Sequence, residues 1–567
     1  MAQFQVAAVF SDHCVLQRNK NICIFGYGSN GESVQVALFD KNGTLLSKNS
    51  VTIINERWEV QMEPQIAQEG CKLEIEKKAG ADACTATTTE GTAKITFTDI
   101  SIGEVWLAGG QSNMEFELQN CTEGPEALAE TKNPNVRFYY TNKIAWKDEH
   151  FYEAEKNTCW QTWDSEYKKS WSAVGYFFAK KLAADLGCTV GVIGCNWGGT
   201  SASAWMRKDF LEKDDELRTY ITEQIEGTKG KSIEQQCKEY DDYEKENAIW
   251  QEKCNHLYAT VPGITWAKVQ EELGACPWPG PRSCKNPYRP TGLYDCMLSR
   301  ILPYTLKGVI WYQGESDDHK PGMYYKLFST MIDNWRTDWH DDTLPFVFVQ
   351  LPGNRYEQDK DFKHWCFIRE AQAKVHNTIK NAWMTCALEL GVFNDIHPKA
   401  KRVLAERMEQ NALANVYNKL PPEKALSPML ASTLIIGNKM TLTFTNADDG
   451  FILHNDEKTL QEYKTVEQNQ GTPVPEDFTG FEIAGCDGVY YPAEFAFGGT
   501  DGKLNTITLM SKKVEEPRFA RYAWYNYGPA TVFGKNGLPL APFRTSSADS
   551  QAATEHAEIQ QIMTVAN

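Results

Sequence analysis

Residues 105–114 read Val-Trp-Leu-Ala-Gly-Gly-Gln-Ser-Asn-Met, an apolar run that ends in two glycines and is followed by a serine. Such a run predicts a buried strand, and the glycines leave room for a tight turn that exposes the hydroxyl of Ser112. This layout suits a nucleophile, because the strand fixes the position of the attacking oxygen. The Gly-x-Ser-x-Gly nucleophile elbow is not matched, since Met114 stands where its second glycine belongs. The sequence therefore predicts either another kind of serine site or a well-packed turn.

A histidine and a carboxylate stand together in a second stretch, Val392-Phe393-Asn394-Asp395-Ile396-His397-Pro398. Residues 399–417 follow it with the pattern of an amphipathic helix. A hydroxyl nucleophile needs an imidazole to take its proton and a carboxylate to orient that imidazole. We therefore interpret Ser112, His397 and Asp395 as a catalytic triad. The alternative is that Asp395 only caps the helix and His397 lies on the surface.

Two further apolar runs, 192–200 and 308–316, also end in loops that contain glycine. Acyl transfer places negative charge on the former carbonyl oxygen, and positioned N–H donors stabilise that charge. Each loop alone is also compatible with an ordinary connection from a strand to a helix. Four such loops in order favour a single site. The candidate donors are the backbone N–H of Ser112, the backbone N–H of Gly199 (or Gly198) and the side-chain amide of Gln313.

The order of these motifs resembles the sialate O-acetylesterase family, carbohydrate esterases of the SGNH-hydrolase superfamily. The resemblance is carried by Gly-Gln-Ser-Asn-Met, Trp-Gly-Gly-Thr, Trp-Tyr-Gln-Gly-Glu-Ser and Asp-Ile-His-Pro. It extends to residues 10–20, 172–179 and 538–545, and it weakens between 210 and 285 and in the tail. The resemblance implies a serine nucleophile and a histidine base.

Those two roles fall on Ser112 and His397. Two positions depart from the superfamily pattern. Gln313 stands where an asparagine usually serves the oxyanion, and Asn394 stands where the acid usually lies. We therefore take Asp395 as the third member of the triad, with Glu315 as the alternative.

Length and charge limit the possible classes of protein. A chain of 567 residues predicts two to four domains. It carries 58 basic and 75 acidic side chains, a net charge of −17, so no basic field recruits nucleic acid. No run approaches the roughly 18 apolar residues of a membrane span, and the first residues lack the pattern of a signal peptide. We expect no nucleic-acid partner, no membrane association and a cytoplasmic location; a homo-oligomer stays open.

The 16 cysteines are scattered without a Cys-x-x-Cys pair, and the histidines are dispersed. Several cysteines lie in apolar or helical stretches, where small buried thiols are common. We therefore expect reduced thiols and no bound metal. The chemistry of a serine and a histidine needs no cofactor.

The rhythm of apolar residues changes along the chain. Residues 1–98 alternate apolar and polar side chains between turn signals, which predicts an N-terminal antiparallel β domain. In 99–420 buried strands alternate with helices, which predicts a parallel sheet covered on both faces, with functional loops at the carboxyl ends of its strands. With the resemblance, this region is expected to be an SGNH-hydrolase-like α/β/α sandwich. Residues 421–545 predict a second antiparallel β domain, and 546–567 a tail.

Residues 207–285 interrupt the catalytic region with a highly charged, helical pattern. This insertion is either a solvated structural hairpin or an element that overhangs the site or forms a subunit contact.

Together these features predict a carbohydrate O-acetylesterase that works through an acyl-serine. The substrate is either an O-acetylated sialic acid or an acetylated hemicellulose oligosaccharide (xylan, mannan or xyloglucan). The alternatives are a non-catalytic carbohydrate-binding protein with a vestigial serine site, and a short-chain esterase or thioesterase. Flat aromatic rings beside the motifs suit stacking on sugars, and the candidate substrate contacts are Trp197, Trp205, Trp311, Tyr312 and the carboxylate Glu315.

Overall fold

The computed structural model describes residues 4–78, 93–133, 135–148, 151, 157–357 and 359–546. Its strands are β1 Gln5–Val6, β2 Val15–Gln17, β3 Ile22–Tyr27, β4 Ser33–Phe39, β5 Leu45–Thr52, β6 Arg57–Met62, β7 Gln68–Lys78, β8 Ala93–Gly110, β9 Val136–Tyr140, β10 Trp160–Gln161, β11 Val190–Asn196, β12 Gly308–Tyr312, β13 Phe346–Gln350, β14 Ala382–Cys386, β15 Met429–Ile436, β16 Lys439–Thr445, β17 Phe451–Leu453, β18 Phe481–Ala484, β19 Tyr490–Pro492, β20 Glu494–Thr500, β21 Lys503–Met510, β22 Phe519–Tyr522, β23 Val532–Gly534 and β24 Phe543–Arg544.

The α-helices of the described ranges are α1 Ser112–Glu115, α2 Gly124–Leu128, α3 Ala173–Leu186, α4 Lys208–Glu212, α5 Arg218–Gly227, α6 Ile233–Thr260, α7 Trp266–Leu273, α8 Gly292–Cys296, α9 Tyr324–Trp339, α10 His364–Thr378, α11 Arg402–Asn415, α12 Pro422–Ala425 and α13 Glu457–Asn469. Within those ranges, none of the helices combines the length and the apolar character that crossing a bilayer requires.

The centre of the molecule is a sheet in which β9, β11, β8, β12, β13 and β14 lie side by side and run parallel. Every residue of β11, β12 and β13 is buried. Continuous apolar strands of this kind are typical of a parallel sheet covered on both faces. The predicted alternation of buried strands and helices is therefore present in this region.

Helices cover both faces of this sheet. Trp106 of β8 contacts Phe178 of α3, while Trp311 of β12 contacts Trp335 of α9. The strand register pairs Trp106 with Gly308, three residues before Trp311. Because side chains alternate along a strand, Trp106 and Trp311 point to opposite faces. Helix α3 therefore covers one face and α9 the other.

The strand β8 joins the N-terminal β region to the central sheet. It is 18 residues long. Its first part pairs with β7 antiparallel, and residues 101–103 pair with β2 in parallel. Its second part pairs with β11 and β12. The domain boundary predicted at residues 98/99 therefore falls inside one continuous strand.

The C-terminal region contains antiparallel sheets, one ordered β15-β16-β21-β20 and one ordered β19-β18-β22-β24, as the alternating pattern after residue 420 predicts. The helix α13, between these strands, is not indicated by that pattern. The insertion predicted over residues 207–285 contains α4 to α7 and is helical. Apart from Ser546, the predicted tail lies outside the described residues.

Candidate active site

Ser112 begins α1 directly after β8, at the carboxyl edge of the parallel sheet. Gly110 has a φ of 134°, and a Cβ there would lie 2.1 Å from the carbonyl oxygen of Tyr312, so only glycine fits. The turn is held by Gln111, whose Oε1 accepts a hydrogen bond from the backbone N–H of Ser316 at 3.2 Å. The two glycines thus allow a sharp turn against β12 that presents Ser112.

The imidazole of His397 contacts the hydroxyl of Ser112. Nε2 of His397 and Oγ of Ser112 are 2.8 Å apart, although the residues are separated by 285 positions in the chain. Burial, and then the nearby ammonium of Lys401, lower the pKa of His397. A neutral imidazole at this distance is able to accept the serine proton.

Asp395 binds the histidine through the backbone. Its Oδ1 accepts a hydrogen bond from the backbone N–H of His397 at 2.8 Å. Within the described part of the chain, Nδ1 of the His397 ring has no hydrogen-bond partner, so the ring-orienting contact predicted for Asp395 is not made in this structure. The reason is local: the carboxylate of Asp395 accepts the hydrogen bond from the backbone N–H of His397, two residues later, and so does not reach the ring.

Glu315, the alternative third member, is buried and does not contact the imidazole. Its Oε1 accepts a hydrogen bond from Nδ2 of Asn113 at 2.7 Å. The same Nδ2 donates to the carbonyl oxygen of Ile396, and Nζ of Lys401 donates to Oδ1 of Asn113 at 2.6 Å. Burial lowers the pKa of Lys401 to about 7. This buried network links the residue after Ser112 to the residue before His397.

Two loop amides near Ser112 differ in what they bind. The backbone N–H of Gly198 donates to Oε2 of Glu115 at 2.7 Å. For Gly199 and Ser112, by contrast, no acceptor of the backbone N–H lies among the described residues. A Cβ at Gly198 would lie 3.2 Å from Cβ of Ser112, so this loop touches the serine. Ser112 and Gly199 therefore have backbone N–H groups that could donate to an oxyanion. The N–H of Gly198, the alternative donor, is already bonded to Glu115.

The side-chain amide of Gln313 is not free to serve as an oxyanion donor. Gln313 is fully buried, and its Nε2 donates to the carbonyl oxygen of Thr200 at 3.1 Å and to Oδ2 of Asp317 at 2.7 Å. Its Oε1 accepts from the hydroxyl of Tyr324 at 2.9 Å. In this arrangement the amide has no free N–H to offer, so its role as an oxyanion donor stays a prediction. Gln313 ties the 200–203 loop to the end of β12 instead.

The structure also corrects the candidate substrate contacts. Trp205, Trp311, Tyr312 and Glu315 are all buried, at most 5% exposed. Trp205 and Trp311 are core residues that pack in the layer of α9, and Tyr312 lies at the end of the covered strand β12. Only Trp197 of this set is partly exposed.

The insertion borders the site at the Gly199 loop. A Cβ at Gly199 would lie 3.3 Å from the ring of Trp278, which belongs to the insertion, and 3.1 Å from the ring of Tyr288, which follows it in the chain.

Sequence reasoning missed Asn113 and Lys401. Their positions were the one sequence feature that could have indicated a role in the site: Asn113 follows the serine directly, and Lys401 follows the histidine by four residues. Isolated polar residues carry no periodic pattern that predicts burial. In the described residues, no group of three or more His, Cys, Asp or Glu side chains is arranged to hold a metal ion.

Residues 102–261 and 280–414, more than half of the chain, match the model of a family described as "Carbohydrate esterase, sialic acid-specific acetylesterase". The sialate O-acetylesterase of Mus musculus is 25% identical over 492 residues, which cover 81% of this chain and 82% of the mouse protein. The human sialate O-acetylesterase is 25% identical over 442 residues, covering 73% of this chain and 71% of the human protein. A crystal structure of a carbohydrate acetylesterase from Xanthomonas citri has a similar fold, with a TM-score of 0.68 at 23% identity, covering 96% of this chain and all of that one.

Proposed function

The chain belongs to the sialic acid-specific acetylesterase family of carbohydrate esterases and is a carboxylic ester hydrolase, and from this premise we propose that it removes acetyl groups from sugar hydroxyls through an acyl-serine. The observation that carries the mechanism is the 2.8 Å contact between Oγ of Ser112 and Nε2 of His397. It joins a hydroxyl at a strand end to a neutral imidazole, which are the two groups that nucleophilic acyl transfer requires.

In the first step Ser112 attacks the acetyl carbonyl carbon while His397 takes the hydroxyl proton. The carbonyl oxygen becomes an oxyanion, and the backbone N–H groups of Ser112 and Gly199 donate to it. Their lack of an acceptor among the described residues supports this assignment. The imidazolium then gives its proton to the departing sugar oxygen, which leaves as an alcohol and yields the acetyl-serine.

In the second step His397 takes a proton from water, and the resulting oxygen nucleophile attacks the acetyl-serine. The same two amides hold the second oxyanion, and the imidazolium returns the proton to Ser112 as acetate leaves. Asp395 acts in both steps through its charge and its hydrogen bond to the backbone of His397, which favour the imidazolium and fix its loop. None of these steps requires a metal or an organic cofactor.

The fold that best suits this mechanism is an SGNH-hydrolase-like α/β/α sandwich. Ser112, Gly199 and His397 follow β8, β11 and β14, whose carboxyl ends share one edge of the sheet. Helices on both faces support the same interpretation.

O-acetylated sialic acid is the first candidate substrate, because the mouse and human relatives are named sialate O-acetylesterase. One contact favours the neutral hemicellulose oligosaccharides as the second. The ammonium of Lys143 lies 5.7 Å from the ring of Trp197, but it is paired with Glu115. A paired ammonium attracts a sialate carboxylate less strongly than a free one.

The test is acetate release from O-acetylated sialic acids and from acetylated xylan, mannan and xyloglucan oligosaccharides, measured side by side. We expect Ser112→Ala to abolish release from every substrate and to prevent labelling by a fluorophosphonate. Near wild-type hydrolysis by Ser112→Ala would rule out the acyl-serine. A wild-type protein that is not labelled and releases no acetate would instead be a non-catalytic binding protein. Faster hydrolysis of simple short-chain esters or of thioesters than of any acetylated sugar would favour a short-chain esterase or thioesterase.

A further inference from the structure

Trp278 is unusual among the tryptophans of the described ranges because it is the one that belongs to the exposed large apolar side chains. It is 48% exposed. Trp278 lies in the stretch 262–279, which separates the two segments that match the family model. A large apolar ring in water is informative when it lies beside a functional site, because such surfaces often bind a ligand.

The indole of Trp278 lies against the loop that holds the free amide of Gly199. A Cβ placed on Gly199 would be 3.3 Å from Cζ2 and from Nε1 of the indole. The preceding residue, Gly198, lies beside Ser112, since a Cβ placed on it would be 3.2 Å from Cβ of Ser112. Consecutive Cα atoms are only about 3.8 Å apart. The exposed ring of Trp278 therefore adjoins Gly199, and the neighbouring residue, Gly198, adjoins Ser112.

The position of the indole is supported by Tyr288. The two rings pack edge to face, with centroids 5.5 Å apart and an angle of 74° between their planes. Tyr288 also contacts the Gly199 loop, 3.1 Å from the Cβ position. This edge-to-face packing restricts rotation of the side chain, while 48% of Trp278 stays exposed. Trp278 is therefore both exposed and held in place.

We propose that Trp278 is the wall on which the pyranose ring that carries the scissile acetyl group stacks, and that it makes the enzyme prefer acetylated pyranoses to acyclic acetate esters. This rests on the proposed function and specifies its substrate class. A pyranose presents a face of C–H groups that packs on an aromatic plane, as ligand pockets use flat apolar walls with few polar groups. Trp205 and Trp311 do not provide this wall because they are buried. Trp197 is only partly exposed, with the ammonium of Lys143 5.7 Å from its ring.

The experiment compares kcat/KM for an O-acetylated pyranoside with kcat/KM for triacetin, an acyclic acetate ester. In Trp278→Ala we expect kcat/KM for the pyranoside to fall about tenfold, mainly through KM, as for truncation of an aromatic anchor. We expect the value for triacetin to change less than about twofold, because an acyclic ester has no ring to stack.

Two further variants separate stacking from support of the loop. Trp278→Leu keeps an apolar side chain against Gly199 but offers no flat face, so it should lose activity as Trp278→Ala does. Trp278→Phe keeps a flat ring and should retain most of the preference. The matched control is Tyr167→Ala, which removes an aromatic side chain that is 69% exposed and lies outside the insertion.

Each result decides the proposal. Equal loss on both esters, or full activity of Trp278→Leu on the pyranoside, would mean that Trp278 only supports the loop and would overturn it. Unchanged kinetics in Trp278→Ala would do the same. These outcomes are distinct from failure of the proposed function, in which the wild-type protein hydrolyses neither ester and Ser112 is not labelled by a fluorophosphonate.

Discussion

Nζ of Lys401 donates a hydrogen bond to Oδ1 of Asn113 at 2.6 Å, and both side chains are buried. Asn113 follows the serine, and its amide nitrogen donates to the carbonyl oxygen of Ile396, which precedes the histidine. The nucleophile and the base thus belong to one hydrogen-bonded unit. A buried ammonium within this unit acts on His397 through its charge as well as through position.

We predict that Lys401→Met moves the acidic limb of the pH profile of kcat/KM to higher pH. The ammonium of Lys401 contributes to lowering the pKa of His397, after burial. The pKa of Lys401 itself is lowered to about 7, so the side chain is charged over the range in which His397 titrates. Without that charge the pKa of His397 rises. As the pH falls, the imidazole is then protonated at a higher pH and can no longer act as the base.

The matched control for Lys401→Met is Lys399→Met, which removes an exposed ammonium from the same segment. Its acidic limb should coincide with that of the wild-type protein. An acidic limb that stays unchanged in Lys401→Met, or moves to lower pH, would contradict the electrostatic role.

We predict that Asp395→Asn costs about tenfold in kcat and Asp395→Ala considerably more. Asparagine keeps an oxygen that can accept the hydrogen bond from the backbone N–H of His397, whereas alanine leaves that group without its partner. When an aspartate orients the catalytic ring directly, its change to asparagine costs about 10⁴ in kcat. Single-turnover kinetics of the two variants decide between these roles, and equally large losses in both would restore the ring-orienting triad.

The contact of Ser112 with His397 is the part of the site that the sequence predicted best. Each residue follows an apolar run or precedes a helix, and parallel strands bring such loops to one edge of the sheet. The structure does not match the predicted roles of residues whose availability to the substrate depends on burial alone. Trp311 lies on a strand covered on both faces, so a ring beside a motif is a core residue. Gln313 is one residue past that strand and turns into the core as well.

Among the elements of the fold that were not identified from the sequence are β14, α10 and α13. The strand β14 is only five residues long and includes a threonine, and α10 and α13 mix charged and apolar residues without a clear boundary. These elements are defined by tertiary packing, since α10 contacts α9 and β14. The cytoplasmic location and the absence of structural disulfides stay predictions.

We predict that Gln313→Leu lowers stability more than it lowers catalysis. The substitution removes the donors to Thr200 and Asp317 in the core, and each unsatisfied group costs about 1–3 kcal/mol. Loss of a true oxyanion donor reduces kcat by about 10²–10³ without such a cost. Thermal unfolding and kcat, the latter measured well below the melting temperature, test this. A stable Gln313→Leu protein with a thousandfold lower kcat would reinstate the amide as an oxyanion donor.

We predict that oxidised glutathione joins Cys237 and Cys284. Their Sγ atoms are 3.6 Å apart, and the pair connects α6 to the segment that carries Tyr288. The thiolate of one cysteine displaces glutathione to form a mixed disulfide, and the second thiolate displaces another glutathione. Burial raises the pKa of Cys237 to about 11, so the reaction should be faster at pH 9 than at pH 7. Peptide mass mapping without reduction identifies the bond, with Cys237→Ser as the control; no cross-linked peptide at pH 9 would contradict the prediction.

We predict that Glu467→Ala weakens both the fold and catalysis, because α13 supports the histidine loop from the C-terminal region. Glu467 pairs with the buried guanidinium of Arg355, and the carbonyl oxygen of Arg355 accepts a hydrogen bond from the backbone N–H of Asn394. Removing one partner of a buried ion pair costs about 3–5 kcal/mol.

The loss should extend to kcat/KM of the protein that remains folded, since the loop of Asn394 carries His397. Gln468→Ala, an exposed change on the same helix, is the control for both measurements. A lower melting temperature with unchanged kcat/KM per fluorophosphonate-labelled site would mean that the C-terminal region stabilises the fold without positioning the base.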